Sequence, residues 1–370
     1  MPDSLTDGPT TGLSVVVAGG GTAGHIEPAL AVAEALQQRH GATVTALGTT
    51  RGLERDLVPD RGFDLKYIDP VPVPRRPGMD LVKLPWRVVT AVRQARGILR
   101  EVGADAVVGF GGYVAAPAYL AARSLGIPFY VHEANARAGM ANKLGVRLGG
   151  TGFNAVAESG MPGEVIGIPV RADLRTGDTA AAAERGRTQW GLDPARKTLL
   201  VTGGSQGAVS LNKAVAGAVD TLAEAAGFQV LHAYGKRNSA PAEHENYVAL
   251  PYIEDMAAAY AVADLIVCRS GAMTVAEVTA SGLPAVYVPL PHGNGEQALN
   301  ATAVVEAGAA RLIADADLTP DRLVTEVTEI LGDEDRLAGM RAAARGHAAG
   351  DAAGQLADVV AAGVDTQRHP

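Results

Sequence analysis

The sequence predicts an α/β fold made of two doubly wound, Rossmann-like domains. Apolar strands alternate with amphipathic helices along most of the chain, which is typical of parallel sheets covered by helices on both faces. Both halves open with a strand, a glycine-rich turn and a helix. The 370 residues are enough for two domains with separate cores. Two such domains would form a cleft between the carboxyl edges of their sheets.

The first alternating series predicts an N-terminal domain over residues 1–166. Runs of β-branched and apolar residues predict its strands, and apolar positions at helical spacing predict its helices. The strands are expected near 13–18, 42–47, 65–68, 105–109, 128–132 and 164–166, and the helices near 26–39, 52–60, 81–101, 114–125 and 138–148.

The second series predicts a C-terminal domain over residues 167–335. Its strands are expected near 198–202, 228–233, 247–250, 265–268, 285–289 and 310–313, with a helix at about 209–226 after the second glycine turn. The alanine-rich residues 336–370 are expected to be a helical tail that docks back on the N-terminal domain.

Composition restricts the class of protein. Apolar residues make up 47% and charged residues 19%, as in ordered globular proteins. The net charge of −8 argues against a nucleic-acid partner. A single cysteine, Cys268, excludes an internal disulfide and suits a reducing compartment. The polar residues 1–12 do not resemble an export signal, and glycines and Pro117 interrupt the longest uncharged run, at 106–122.

The turn after the first strand is the most informative stretch. Residues 15–25 read as a buried strand that breaks into glycines at a helix start, where free N–H groups and the helix dipole favour anions. His25 lies in the first helical turn, where a side chain meets a bound ligand. The same residues fit the dinucleotide pattern Gly-x-Gly-x-x-Gly, but no acid follows the strand at 42–47, which ends in Gly48-Thr49-Thr50. A hydride-transfer enzyme is therefore disfavoured.

The second half carries further candidate contacts. Gly203–Gly207 offers N–H donors and the Ser205 hydroxyl at a helix start, unless it is only a tight strand-to-helix turn. Arg269 is placed to offset the charge of a diphosphate, whose oxygens the N–H groups of Ala272 and Met273 could bind. Thr274-x-x-Glu277 is also a plain capping box. Gln297 and Asn300 share one helix face.

No metal site and no cofactor are expected. The eight histidines show no metal-ligand spacing. Asp315-Ala316-Asp317 matches a manganese-binding pattern of some sugar transferases. The following Leu318-Thr319-Pro320 resembles a helix cap with proline at the first helical position, which favours a turn.

One basic stretch contrasts with the acidic chain. Residues 71–100 hold seven basic residues and one acid, interleaved with apolar ones. Such a stretch suits an anionic membrane surface, at about 1 kcal/mol per basic residue, although a solvated amphipathic helix is the alternative. The residues assigned to membrane contact are Arg75, Arg76, Leu81, Lys83, Leu84, Trp86 and Arg87.

Taken together, these motifs resemble the MurG family of UDP-N-acetylglucosamine transferases, which have the GT-B glycosyltransferase fold. The similarity covers the chain from Val15 to about Arg311. Its markers are Gly21–His25, Gly111-Gly112-Tyr113, His132–Asn135 with Asn142-Lys143, Gly203–Gly207, Arg269–Glu277, Gln297 and Asn300.

The resemblance implies transfer of N-acetylglucosamine from UDP to the C4 hydroxyl of undecaprenyl-diphospho-muramoyl-pentapeptide, with inversion, at the cytoplasmic face of the membrane. The first domain would hold the acceptor and the second the donor, with Ile253 at uracil and Glu277 at the ribose. The implied substrate-binding residues are Thr22, Ala23, Gly24, Tyr113, Asn135, Asn142, Arg171, Ser205, Gln206, Ile253, Arg269, Ala272, Met273, Thr274, Val275, Ala276, Glu277, Gln297 and Asn300.

An inverting transfer needs a base for the acceptor hydroxyl and stabilisation of the leaving UDP. The helix dipole disfavours an imidazolium at His25, which makes His25 the candidate base. Glu133 is the alternative base, and a hydrogen bond that positions the ligand is the alternative role for His25. Amide dipoles at the two glycine turns, one from each domain, are expected to stabilise the nucleotide. A sugar-nucleotide epimerase and a non-catalytic UDP-sugar or lipid-binding regulator are the competing hypotheses.

Overall fold

The computed structural model describes residues 12–71, 79–204, 206–291, 295–348 and 350–368. The chain divides into two compact units. Unit 1 is the chain up to Pro169 together with the segment from Asp351, and unit 2 is Val170–Gly350. Each unit is an α/β fold whose strands pair only in parallel, which confirms the predicted fold class.

In its described residues, unit 1 begins with seven strands and five helices in alternation. Its strands are β1 (Ser14–Gly19), β2 (Thr43–Gly48), β3 (Asp64–Tyr67), β4 (Ala106–Gly111), β5 (Phe129–Glu133), β6 (Thr151–Asn154) and β7 (Glu164–Val165). Its helices are α1 (Ala23–His40), α2 (Glu54–Asp60), α3 (Met79–Glu101), α4 (Gly112–Leu125) and α5 (Met140–Arg147).

Unit 2 repeats this alternation with six strands. Its strands are β8 (Thr198–Thr202), β9 (Gln229–Ala233), β10 (Tyr247–Leu250), β11 (Leu265–Cys268), β12 (Ala285–Tyr287) and β13 (Ala310–Leu312). Its helices are α6 (Ala172–Thr176), α7 (Thr179–Trp190), α8 (Val209–Asp220), α9 (Met256–Val262), α10 (Ala272–Ala280), α11 (Glu296–Glu306), α12 (Pro320–Leu331) and α13 (Glu334–His347). The chain then returns to unit 1 as α14 (Ala352–Arg368).

The strand order places a topological switch point in each sheet. Unit 1 has the order β3-β2-β1-β4-β5-β6-β7, and unit 2 has β10-β9-β8-β11-β12-β13. The connections therefore leave in opposite directions from β1 and β4, and likewise from β8 and β11. Ligands of open parallel sheets bind at the carboxyl ends of such strand pairs.

The side chains of β1 alternate between the two faces of the sheet, and both faces belong to the core of unit 1. Val15 and Val17 face one side, where α1 and α14 cover the sheet, and Val16 and Ala18 face the other side, covered by α3 and α4. All four side chains are buried. Because both faces of β1 are covered, the strand reads in sequence as a continuous apolar run.

The structure differs from the predicted elements at β6, at α6 and α7, which precede β8 and were not predicted, and in the tail. Strand β6 was not predicted, because Thr151–Asn154 is short and contains a glycine, whose Cβ would overlap the carbonyl oxygen of Pro162. The predicted tail is two helices in different units, since α13 belongs to unit 2 and α14 packs on α1. Asp351 lies between the two helices and accepts the Gly354 N–H at the start of α14. The unit boundaries accordingly follow Pro169 and Gly350, later than the predicted 166 and 335.

Candidate active site

In unit 1 the turns after β1 and β4 lie side by side at the switch point. Gly19 at the end of β1 is in register with Gly111 at the end of β4. A Cβ on Gly112 would overlap the carbonyl oxygen of Gly20, and Gly112 has a φ of 78°. Close packing and the left-handed backbone therefore both require glycine at 112. The two turns interlock, so each fixes the position of the other.

His25 lies where these turns meet, in the first turn of α1. Its N–H donates to the Thr22 carbonyl (3.0 Å), and its Nδ1 lies 3.1 Å from Thr22 Oγ1. Its ring borders Gly111, because a Cβ there would be 3.1 Å from His25 Nε2 and 3.5 Å from Asn142 Nδ2. The structure thus brings together His25 and Asn142, which the sequence placed in one site.

The other predicted residues of the first turn are accessible. Thr22 is exposed, and Ala23 and Gly24 are half-buried. Tyr113, in the first turn of α4, is 50% exposed, and its ring lies within 3.8 Å of where a Cβ on Gly21 would be. A polar and aromatic surface therefore surrounds the start of α1.

Glu133 holds the loop between β5 and α5. Its buried carboxylate accepts hydrogen bonds from the Asn135 N–H and Nδ2 (2.9 and 3.1 Å), the Gly139 N–H (2.9 Å) and Asn142 Nδ2 (2.9 Å). Asn142 is also buried, and its Oδ1 accepts from the Tyr119 hydroxyl. Since these donors occupy both carboxylate oxygens, Glu133 organises the loop and is a poor candidate for the base.

The neighbouring His132 is a buried neutral imidazole. Its Nε2 lies 2.8 Å from the Gly167 carbonyl oxygen, to which it donates as the Nε2–H tautomer. Burial lowers the pKa of His132 to about 4, although the Gly167 carbonyl and the Glu133 carboxylate act in the opposite direction.

Glu54 was not predicted from the sequence. It contacts the glycine turn between β1 and α1 from the interior of unit 1. Its fully buried carboxylate accepts the Gly21 N–H (2.9 Å), the Thr49 N–H (2.8 Å) and the Thr49 hydroxyl (2.9 Å). The dinucleotide pattern predicts an acid at the end of β2. Glu54 lies further along the chain, at the start of α2, and its side chain is buried. The Gly21 N–H consequently has a protein partner, contrary to the expectation that both turns present free amides.

In unit 2 the turn after β8 is held by a threonine hydroxyl and an asparagine side-chain amide. The Gly204 N–H donates to Thr202 Oγ1 (3.1 Å), and the exposed Gln206 accepts at its carbonyl from Asn238 Nδ2 (3.0 Å). A Cβ on Gly207 would overlap the Tyr234 carbonyl oxygen. Ser205 lies outside the described residues.

Arg269 does not have the place that the sequence suggested. Its guanidinium donates to Asp315 (2.5 Å), to Ser210 Oγ (2.9 Å) and to the carbonyls of Val288 and Pro289. The side chains of Arg269 and Asp315 are only 12% and 18% exposed. Asp315 therefore neutralises Arg269, which joins the end of β11 to the start of α8. The following Thr319 caps α12 with Pro320 at the first position, which confirms the predicted turn and cap.

Helix α10 starts earlier than the predicted capping box. Its N-cap is Gly271, so Ala272 and Met273 carry N–H groups of the first turn, and both residues are nearly buried. Thr274 and Ala276 are half-buried, and Val275 is buried. Because Glu277 is well inside α10, it does not cap the helix.

Glu277 instead accepts the Tyr260 hydroxyl at Oε2 (2.9 Å). Burial, with the nearby Glu277 carboxylate, raises the pKa of Tyr260 well above its usual value, which keeps Tyr260 a neutral donor. Ile253 is 3% exposed, so almost none of its surface is available to a base in this structure.

Three other predicted donor-side residues are partly engaged. Gln297 Oε1 accepts the Leu290 N–H (2.9 Å), and Asn300 Nδ2 donates to the Ser270 carbonyl (3.3 Å). The first bond ties the start of α11 to the loop after β12, and the second ties α11 to the loop after β11. Arg171 is the N-cap residue of α6, and its Nε lies 3.4 Å from Asp173.

The predicted membrane residues divide into three groups. Arg75 and Arg76 lie outside the described residues, as do the side chains of Leu81 and Lys83. Trp86 is 72% exposed and Arg87 is half-buried. Leu84 is half-buried and packs against the core on the inner face of α3, with Val88 and Val92. Among the helices in the described ranges, none is long and apolar enough to cross a bilayer.

The fold and its paired glycine turns define the class of two-domain nucleotide-sugar enzymes with GT-B architecture. A family model described as the glycosyltransferase family 28 N-terminal domain matches residues 15–149, and the model for the family 28 C-terminal domain matches residues 198–356. The chain therefore belongs to glycosyltransferase family 28.

Individual relatives are similar over almost the whole chain. A Corynebacterium efficiens protein named UDP-N-acetylglucosamine--N-acetylmuramyl-(pentapeptide) pyrophosphoryl-undecaprenol N-acetylglucosamine transferase is 73% identical, over 95% of this chain and 98% of that protein. The crystal structure of Acinetobacter baumannii MurG is 33% identical with a TM-score of 0.73, covering 95% of this chain and 99% of that one. A Neisseria meningitidis UDP-GlcNAc 2-epimerase has a TM-score of 0.66 at 14% identity (96% and 100% covered), a likeness of fold alone.

Proposed function

We propose that the protein transfers N-acetylglucosamine from UDP-N-acetylglucosamine to the C4 hydroxyl of undecaprenyl-diphospho-N-acetylmuramoyl-pentapeptide, with inversion at the sugar carbon. The observation that carries this proposal is the 73% identity, over nearly the full length of both chains, to the C. efficiens protein named for that transfer. The site geometry supports the same reaction, because a candidate base and a candidate anion site lie at the two switch points.

His25 would act as the base in unit 1. Its ring is held on one side by Thr22 Oγ1 at Nδ1, and Nε2 lies beside Gly111. As the acceptor oxygen bonds to the anomeric carbon, its proton passes to His25. The bond from that carbon to the UDP oxygen breaks on the opposite face, so the configuration inverts.

The donor would bind in unit 2, at the ends of β8 and β11. The first-turn N–H groups of Ala272 and Met273, together with the turn before α8, suit the diphosphate. Glu277 would accept from the ribose hydroxyls, and Gln297 with Asn300 would contact the sugar hydroxyls. Since Asp315 neutralises Arg269, main-chain N–H groups supply the field that stabilises the leaving nucleotide.

A transfer assay tests the proposal. Purified protein is incubated with UDP-N-acetylglucosamine labelled in the sugar and a lipid-linked muramyl-pentapeptide, and the lipid product and the free UDP-sugar are both analysed. We expect labelled disaccharide-lipid together with one UDP per transfer. Conversion of the UDP-sugar to its C2 epimer without acceptor would indicate the epimerase, and donor binding without turnover would indicate a regulator; either result contradicts the proposal.

We further propose that unit 1 binds the cytoplasmic face of the membrane peripherally, through the basic stretch that includes α3. Trp86 is exposed on this helix, on the face opposite Leu84, and its ring suits the headgroup region. Sedimentation with anionic and with neutral vesicles tests this. Trp86→Ala should weaken binding to anionic vesicles, whereas Val209→Ala, an exposed apolar position in unit 2, should not. Equal binding of wild type to both vesicles contradicts the proposal.

A further inference from the structure

A fully buried carboxylate lies behind the first glycine turn, outside the set of residues that the reaction itself requires. Glu54 is the first residue of α2, and its side chain has no exposed surface. Oε2 accepts the Gly21 N–H, while Oε1 accepts both the N–H and the hydroxyl of Thr49. A buried carboxylate is costly unless such donors surround it. Here three donors converge on one side chain.

Three glycines make the space for this carboxylate. A Cβ on Gly48 would lie 2.5 Å from Glu54 Cγ, one on Gly20 would lie 3.1 Å from Oε1, and one on Gly52 would overlap the carboxylate. None of the three glycines has a left-handed backbone conformation. Glycine is therefore needed at these positions for room and not for its dihedral angles. The loops after β1 and β2 are shaped around this one side chain.

The turn that Glu54 holds is in contact with Tyr113 and leads directly to Thr22 and His25. Gly20 packs against Gly112, and a Cβ on Gly21 would approach the ring of Tyr113. Thr22, the next residue, is the N-cap of α1 and lies 3.1 Å from His25 Nδ1. A shift of the Gly20-Gly21 peptide consequently moves Thr22, His25 and Tyr113 together.

We propose that Glu54 is a positioning residue for the acceptor half of the active site, acting through the Gly21 N–H on His25. This inference rests on the proposed function. The carboxylate does not touch the substrate; it fixes the turn from which α1 begins. Misplacement of reacting groups by about 1 Å can lower turnover by about 100-fold, so loss of this anchor has a measurable effect on turnover.

The test replaces Glu54 by glutamine, which keeps the shape but turns one acceptor oxygen into a donor. Asp105→Asn is the matched control, because Asp105 accepts the Ser14 N–H at the opposite end of β1 in the same unit. Acceptor turnover and KM, donor affinity by calorimetry, and melting temperature are measured for both variants. We expect Glu54→Gln to lower acceptor turnover by about 10- to 100-fold with donor affinity unchanged. Asp105→Asn should show wild-type turnover at a comparable loss of melting temperature.

Two results would overturn the inference: wild-type turnover in Glu54→Gln, or equal losses of turnover in Glu54→Gln and Asp105→Asn. Thr49→Val, which removes only the hydroxyl donor, serves if Glu54→Gln does not fold. A folded Thr49→Val protein should lose turnover by a smaller factor, and unchanged turnover contradicts the inference. If wild type itself fails to make the lipid product, the proposed function is wrong, whereas the positioning role alone fails when only the variants behave like wild type.

Discussion

The two glycine turns occupy equivalent places in their units, but the groups that hold each turn and the helix after it differ in charge. In unit 1 a carboxylate, Glu54, accepts the N–H of Gly21 in the turn before α1. In unit 2 the anchor at the start of α8 is the guanidinium of Arg269, which donates to Ser210 and is neutralised by Asp315. The first turn thus has a negative charge hydrogen-bonded to it, whereas a neutral ion pair holds the start of the helix after the second turn.

This difference indicates which turn suits an anion. A carboxylate bonded to the Gly21 N–H opposes a second negative group at the same amide, because like charges repel strongly where water is excluded. The contacts that hold the second turn come from Thr202 Oγ1 and Asn238 Nδ2, which carry no net charge. We infer that the leaving diphosphate is stabilised at the turns of unit 2 and that the first turn mainly positions His25.

Removing His25 tests the division of roles most strongly. His25→Ala should lower acceptor turnover by about 10²- to 10⁴-fold, the usual contribution of a general base. Donor affinity should stay within error of wild type, since His25 belongs to unit 1. Thr22→Val, which removes the hydroxyl beside Nδ1, should cause a smaller loss. Steady-state kinetics with the lipid acceptor and calorimetry with the donor provide both measurements. Near-full turnover in His25→Ala would exclude it as the base.

The fold was largely predictable from the sequence, because parallel sheets covered on both faces leave a strong local signal. Long apolar runs such as β1 and β8, each followed by glycines, marked the first strand of each sheet. Short elements without this signal were missed, as β6 shows. The division of the tail between units was also missed, because α13 and α14 are both alanine-rich and their partners are distant in sequence.

The site was predictable only in part. Motif positions put His25 and Asn142 together correctly, since α1 and α5, which carry them, follow β1 and β5, the strands on either side of β4 in the sheet. Charge partners could not be read from local sequence: Glu54 is 33 residues from Gly21, and Asp315 is 46 residues from Arg269. Such long-range pairs decide whether a charged residue faces a ligand or the protein, and only the fold shows them.

The Arg269 ion pair gives the next largest effect. Arg269→Met should destabilise unit 2 by about 3 kcal/mol, the low end for removing one partner of a buried pair, because both side chains retain some exposure. The double variant with Asp315→Asn should recover part of this loss. Chemical denaturation measures both. If Arg269 served the diphosphate instead, Arg269→Met would weaken donor binding without loss of stability, and the contrast between the two anchors would be wrong.

Acidification should affect the two units alike, because each contains a buried neutral histidine. Burial lowers the pKa of both His132 and His232 to about 4, from about 6.5 in the unfolded chain. Between these pKa values the unfolded state binds more protons than the folded state. The contribution of each neutral histidine to the free energy of unfolding is therefore fully present above pH 6.5 and is lost as the pH falls to 4. The loss is about 3 kcal/mol per histidine. Hydrogen exchange of β5 and β9 amides against pH measures it in each unit. Imidazole signals that titrate near pH 6.5 would contradict the prediction.

The smallest effect is expected on donor affinity when Glu277 is replaced. This variant tests the assignment of the donor to unit 2. Glu277→Gln should weaken donor binding by about tenfold, because hydrogen bonds to a charged acceptor contribute about 1.5 kcal/mol or more. Tyr260→Phe is the matched control. It removes the hydroxyl that donates to Glu277 but leaves the carboxylate. It therefore tests whether donor binding depends on the orientation of the Glu277 carboxylate or on its charge. Calorimetry with UDP gives the affinity, and acceptor KM should not change in either variant. Wild-type UDP affinity in Glu277→Gln, or a raised acceptor KM, would show that this carboxylate does not face the donor nucleotide.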